Sequence, residues 1–190
     1  MHGTYAIVLT LACLLCGVNS IGNSKNEQLC LDYYASGKTY DLNELPAYTY
    51  RVYFWPPNQR QRDSCQNISF TKLAEEHVEL LTKECNNLTL SSNETVIKAS
   101  YSDSSRKTKN LLYYGNEEVK KMFRSCDKII AKYLFIKVNE DYVLGINCSA
   151  GGRGVLVSRS LPSATEVQRV VDSIEIMNGR EGRPDCTLSR

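Results

Sequence analysis

The chain has 190 residues, and its 23 basic and 21 acidic residues leave a formal net charge of +2. The two signs are interspersed, so the electrostatic footprint of a nucleic-acid binder is absent. The length fits one domain. Two short basic clusters, Arg60 with Arg62 and Arg106 with Lys107 and Lys109, read as solvated loops.

Residues 7–15 form an apolar run, and Val18-Asn19-Ser20 offers small residues at −3 and −1 of a cleavage site. This pattern predicts a secretory signal peptide over residues 1–20 and a single domain over 21–190. The apolar run is too short to span a bilayer, and no later stretch is more apolar, so no integral membrane association is expected. Removing the leader also removes Cys13 and Cys16. Cys30, Cys65, Cys85, Cys126, Cys148 and Cys186 remain, an even count that implies disulfides in a secreted chain, with fifteen pairings possible. No pair has the spacing of a zinc site and His77 is the mature chain's single histidine, so no metal is expected. Sequons at Asn67, Asn87 and Asn93 are candidate glycosylation sites. A fourth, at Asn147, precedes a cysteine expected to be bonded.

In chain order, residues 40–45 suggest one helical turn before Pro46. The run 48–55 (YTYRVYFW) is the first strand, with Tyr48, Tyr50, Val52 and Phe54 on one face. Residues 65–72 form a second, with Ile68 and Phe70 inward and Asn67 outward. Residues 77–85 are read as a third, with a helix as the rival. Segments 88–90 with 95–101, then 110–114, give a fourth and a fifth, and 116–128 suggests a short helix. Then 132–138, 142–148 and 155–160 alternate apolar and aromatic residues between a polar turn and a Gly-rich one, the signature of consecutive hairpins. From Ser163 the period changes. Ser163 and Glu166 make a capping box after Pro162, and Val167, Val170, Val171 and Ile174 form a helical stripe that ends before Gly179. Eight strands with short connections predict an all-β, antiparallel, up-and-down barrel with one C-terminal helix packed on it.

The three-strand stretch and its helix resemble a secreted lipocalin, most closely the insect branch of bilin-binding and apolipoprotein D-like proteins. Glu140-Asp141-Tyr142 is similar to the family's Thr-Asp-Tyr turn between the sixth and seventh strands. Val157-Ser158-Arg159-Ser160 is similar to its eighth-strand motif, and residues 142–148 (YVLGINC) to the insect seventh strand. The family's first-strand Gly-x-Trp is replaced by Pro46-Ala47-Tyr48. The resemblance therefore implies that Tyr48 plugs the closed end with Arg159 stacked across it, a cation–π contact of about 0.5–2 kcal/mol. It also implies disulfides Cys30–Cys148 and Cys65–Cys186. Cys85 and Cys126 are left over, in or beside two loops at the barrel mouth, so a third bridge there is expected.

The function implied is carriage of a small hydrophobic molecule inside the barrel, without a cofactor and without enzymatic activity. The expected lining is Tyr50, Val52, Phe54, Ile68, Phe70, Leu134, Ile136, Val155 and Val157, with tyrosine hydroxyls to orient a carbonyl or carboxylate. Haem is not expected, because His77 falls on the outer face. A cysteine nucleophile is not expected either, because Cys65 is assigned to a disulfide. The alternative is a protein-binding or inhibitory role through mouth loops 56–63, 86–95 and 149–154. Nothing in the sequence sets an oligomeric state.

Overall fold

The computed structural model describes residues 28, 30, 32, 40–57, 61–85, 90, 94–103, 105–115, 119–123 and 130–189, with only the backbone at 119–121, 123 and 130. The leader, Asn87, Asn93 and Cys126 lie outside the described residues, as does most of the mouth segment 86–95.

Nine strands form one antiparallel sheet in the order β2-β3-β4-β5-β6-β7-β8-β1-β9, and β1 also pairs with β2, which closes a barrel. The strands are β1 (Tyr48–Trp55), β2 (Gln66–Lys72), β3 (Val96–Ser102), β4 (Thr108–Tyr114), β5 (Val119–Phe123), β6 (Ile130–Lys137), β7 (Tyr142–Asn147), β8 (Arg153–Ser158) and the short β9 (Arg183–Pro184). Among the described residues, α1 (Glu75–Glu84) and α2 (Ala164–Asp172) pack on the outside of the cylinder. At the start of α2 the Ser163 hydroxyl accepts from the Glu166 N–H at 3.2 Å, the expected cap.

Two elements differ from the sequence reading. Residues 77–85 are not a strand. Val78 and Leu81 pack from α1 against Val96, Leu112 and Tyr114, Thr82 is half-buried beside them, and the remaining residues of the helix are exposed. The segment expected to be a short helix after residue 116 contains β5, which pairs with β4 at Leu112–Tyr114 and with β6 at Ile130–Leu134. Two neighbouring ladders outweigh the helical composition there.

Burial is split into an inner core and an outer one. Inside the barrel are Phe70, Ile97, Ala99, Tyr113, Tyr133, Phe135, Val143 and Val157, with Tyr40, Leu42 and Leu45. Outside it, Val52, Trp55, Leu134, Ile136, Tyr142, Leu144, Ile146 and Leu156 are covered by Val167 and Val170 of α2 and by Ile174 and Met177 beyond it. The wall under α2 is thus apolar on both faces. The Tyr142 hydroxyl, buried in that outer layer, donates to Glu166 at 2.9 Å.

Cys30 is bonded to Cys148, and Cys65 to Cys186. Cys85 is disulfide-bonded as well, while its expected partner Cys126 is not described. The second of these bonds sits at a seam. β1 pairs with β2 only from Tyr48 to Arg51, and beyond that point its neighbour is β9, through Tyr53 and Phe54. The tail continues past β9 between β1 and Arg62: the Asp185 N–H donates to the Val52 carbonyl at 3.0 Å, and the Arg62 N–H to the Asp185 carbonyl at 2.9 Å.

Candidate functional site

The site follows from where β1 points its side chains. Before Val52, inward residues alternate normally: Thr49 opposes Ile68, and Arg51 opposes Val157. The register with β8 then slips between Arg51 and Tyr53, a bulge at Val52. Two successive residues, Val52 and Tyr53, face the outer core, and Phe54 faces in. Arg51 and Phe54, three residues apart, therefore share one interior, with the Arg51 guanidinium 5.5 Å from the Phe54 ring centre.

That interior contains a cavity of about 130 Å³. Its wall carries Ile68 and Phe70 from β2, Ala99 and Tyr101 from β3, and Leu111 and Tyr113 from β4. Tyr133 and Phe135 on β6, Gly145 on β7, and Val155 and Val157 on β8 complete it, beside Arg51, Phe54 and Gln66. Tyr113, Tyr133 and Phe135 pack together with ring centres 5.0–5.1 Å apart. Gly145 is what lets Tyr133 lie flat on β7, since an added Cβ would sit 2.7 Å from the Tyr133 Cε1.

The electrostatics are mostly neutral. Burial, followed by the nearby Tyr133 and Tyr101 hydroxyls, holds the Tyr113 hydroxyl protonated far above the usual tyrosine range. Burial does the same to Tyr133, opposed in part by the Arg51 charge. Arg51 is itself neutralised. Its Nε and Nη2 clasp the Asp185 carboxylate at 2.8 and 3.1 Å, and Arg62 Nη1 reaches the same group at 2.8 Å. The cavity offers an apolar wall, tyrosine hydroxyls that donate hydrogen bonds, and a charged lining residue, Arg51, that is paired with Asp185. A space of this size accepts a benzene-sized group. Among the described residues no cluster of His, Cys, Asp or Glu is placed to hold a metal.

Of the residues expected to line the site, Phe54, Ile68, Phe70, Val155 and Val157 are on the cavity wall. Tyr50, Val52, Leu134 and Ile136 are not; they pack in or against the outer core. The bulge displaces the first two. On β6 the two faces are inverted, because the aromatic residues Tyr133 and Phe135 fill the interior while the aliphatic ones meet α2. The closed end is corrected too. Tyr48 is 62 % exposed and Arg159 is exposed, so neither plugs the barrel. Leu42 and Leu45 plug it, from a 3₁₀ turn capped by the Asp41 carboxylate, together with Tyr40. Burial and the Glu44 carboxylate raise the Tyr40 hydroxyl to about 12, and the Arg159 charge works against them. Asn67 is exposed on β2, and His77 is exposed on α1.

No protein-family model and no curated protein matches the sequence. Solved structures do match in shape. Apocrustacyanin C2 superposes with a TM-score of 0.51 and 11 % identity, over 84 % of this chain and 86 % of that one. Apocrustacyanin C1 gives 0.50 and 11 %, over 83 % and 86 %. Crustacyanins are lipocalins. The chain has the lipocalin fold. The lipocalin cylinder accounts for the antiparallel order and for α2 lying along its wall.

Proposed function

We propose that the protein is a secreted lipocalin that carries a small hydrophobic molecule in the barrel interior. The observation that carries this reading is the cavity of about 130 Å³ in the barrel interior, furnished with tyrosine hydroxyls and set in an inner core that also holds Leu42 and Leu45. Enclosure by apolar walls with a few convergent polar groups is what such a ligand needs. The cavity size favours a small or slender ligand over a broad planar one. The motifs around Asp141, Arg159 and Cys148 support placement in the insect bilin-binding and apolipoprotein D-like branch.

The same reading assigns residues 1–20 to a cleaved signal peptide and 21–190 to one extracellular domain, glycosylated at Asn67, Asn87 and Asn93. Stable disulfides suit an oxidising compartment, and no helix among the described residues is long and apolar enough to cross a membrane. An enzymatic role through Cys65 has no support, because that sulfur is bonded to Cys186.

The test is native mass spectrometry of protein secreted from eukaryotic cells. Carriage predicts a co-purifying small molecule released on denaturation. A tightly bound second protein with an empty barrel would instead favour recognition through the mouth loops and overturn the proposal.

A further inference from the structure

The seam between β1 and β2 contains a guanidinium two of whose nitrogens have no hydrogen-bond partner. Arg183 stands directly opposite Phe54 in the β1–β9 pair. Opposed residues of an antiparallel pair point to the same face, and Phe54 lines the cavity. Its neighbour agrees: an added Cβ at Gly182 would meet the rings of Tyr53 and Trp55, which belong to the outer core. Gly182 thus faces out and Arg183 faces in. Phe54 lies three residues beyond Arg51 along β1, and the plug precedes that strand. Arg183 therefore sits on the side of the cavity away from the closed end.

Nε and Nη2 of Arg183 are buried with no hydrogen-bond partner. These two groups make the same edge of the guanidinium with which Arg51 holds Asp185, through Nε to Oδ2 and Nη2 to Oδ1. That edge presents two parallel N–H donors, whose chemical complement is a carboxylate. The buried carboxylate of the seam is taken, by Arg51 and Arg62 together. Among the described residues two arginines share that one carboxylate, and the Nε–Nη2 edge of Arg183 is left unpaired.

We propose that Arg183 receives the carboxylate of an amphiphile whose apolar portion occupies the cavity. This rests on the carriage reading and narrows it to acidic ligands. The arrangement divides recognition in two. The aromatic interior takes the tail without regard to charge, and the arginine at the seam selects the head.

Isothermal titration of the purified full-length secreted protein tests this with three probes: octanoate, octan-1-ol and acetate. The expected result is octanoate binding at least about tenfold tighter than octan-1-ol, a difference of about 1.4 kcal/mol, with no detectable binding of acetate. In Arg183→Gln the two eight-carbon probes become equal within about threefold, because octanoate weakens while octan-1-ol is unchanged. Arg183→Lys, which keeps the charge but loses the fork, falls between them and guards against a variant that misfolds. Equal affinities for octanoate and octan-1-ol in the wild type would overturn the proposal and leave carriage standing. So would an undiminished preference in Arg183→Gln. Acetate binding as tightly as octanoate would overturn it in favour of a free-anion site. Binding of none of the three would overturn the carriage reading itself.

Discussion

Replacing Gly145 with alanine tests the interior most directly. The new Cβ would lie 2.7 Å from Tyr133 Cε1, 2.8 Å from its hydroxyl oxygen and 3.2 Å from Cζ. Relaxed carbon contacts are about 3.5 Å, so the ring must retreat by about 0.8 Å. Tyr113 and Phe135, each with its ring centre 5.1 Å from that of Tyr133, block two directions, and the remaining one leads into the cavity. Overpacking of this kind costs about 1–3 kcal/mol. The lower chain entropy of alanine in the unfolded state returns about 0.4–1 kcal/mol. The net expectation is a loss of about 1–2 kcal/mol, or a fall in Tm of about 2–8 °C for a domain of this size. Affinity for any cavity ligand falls with it. Urea unfolding followed by the fluorescence of Trp55, the single tryptophan, reads the stability. A cycle with Tyr133→Leu isolates the cause, since removing the ring should return most of the loss, a coupling of about 1 kcal/mol. A Gly145→Ala protein as stable as wild type, with no coupling to Tyr133, would refute the account of the interior.

Two further outcomes follow from burial. Leu42→Ala should cost about 2–5 kcal/mol in urea unfolding, because Leu42 is 2 % exposed at the closed end. Tyr48→Ala, at an exposed position, should stay within about 0.5 kcal/mol of wild type; the reverse order would restore Tyr48 as the plug. The protein should also lose stability in alkali. Tyr40 and Tyr142, whose hydroxyls burial raises to about 12, bind their protons more tightly folded than unfolded. Their contribution is therefore complete below about pH 10 and declines as pH rises from there towards 12. Absorbance at the tyrosinate band, followed beside circular dichroism, should show these hydroxyls ionising late, with unfolding. Free titration near pH 10 in the intact fold would contradict it.

The second half of the fold was legible because its signals are local. The hairpins β6–β7 and β7–β8 announce themselves by turn residues, and α2 by Ser163, Glu166 and its valine stripe. The first half was legible only in part. The sequence suggests eight long strands and the barrel has eight, but the sets differ: 77–85 is a helix, and β5 is hidden in a lysine-rich stretch whose strand state comes from its neighbours. The cavity wall was half visible for a different reason. On β6 and β7 both faces are apolar, since α2 covers the outside, so alternation does not say which residues turn inward. On β1 the bulge at Val52 breaks the period, and nothing in YTYRVYFW marks it. Tyr133 and Phe135 were missed on those grounds, and Tyr113 because Leu112 and Tyr114, on the other face of β4, are buried under α1. Gly145 did carry a usable signal, a glycine amid an apolar strand, which marks close approach of another group.

The seam beside β1 has a consequence for how the container is made. Eight strands complete the cylinder by Ser158, yet the stretch of wall next to Tyr53 and Phe54 consists of residues that follow α2 in the chain. The wall is therefore complete only when the carboxy-terminal segment is in place. That stave brings its own rivet, the sulfur of Cys186, to Cys65. The tightness of the wall at this joint thus depends on the last residues of the chain.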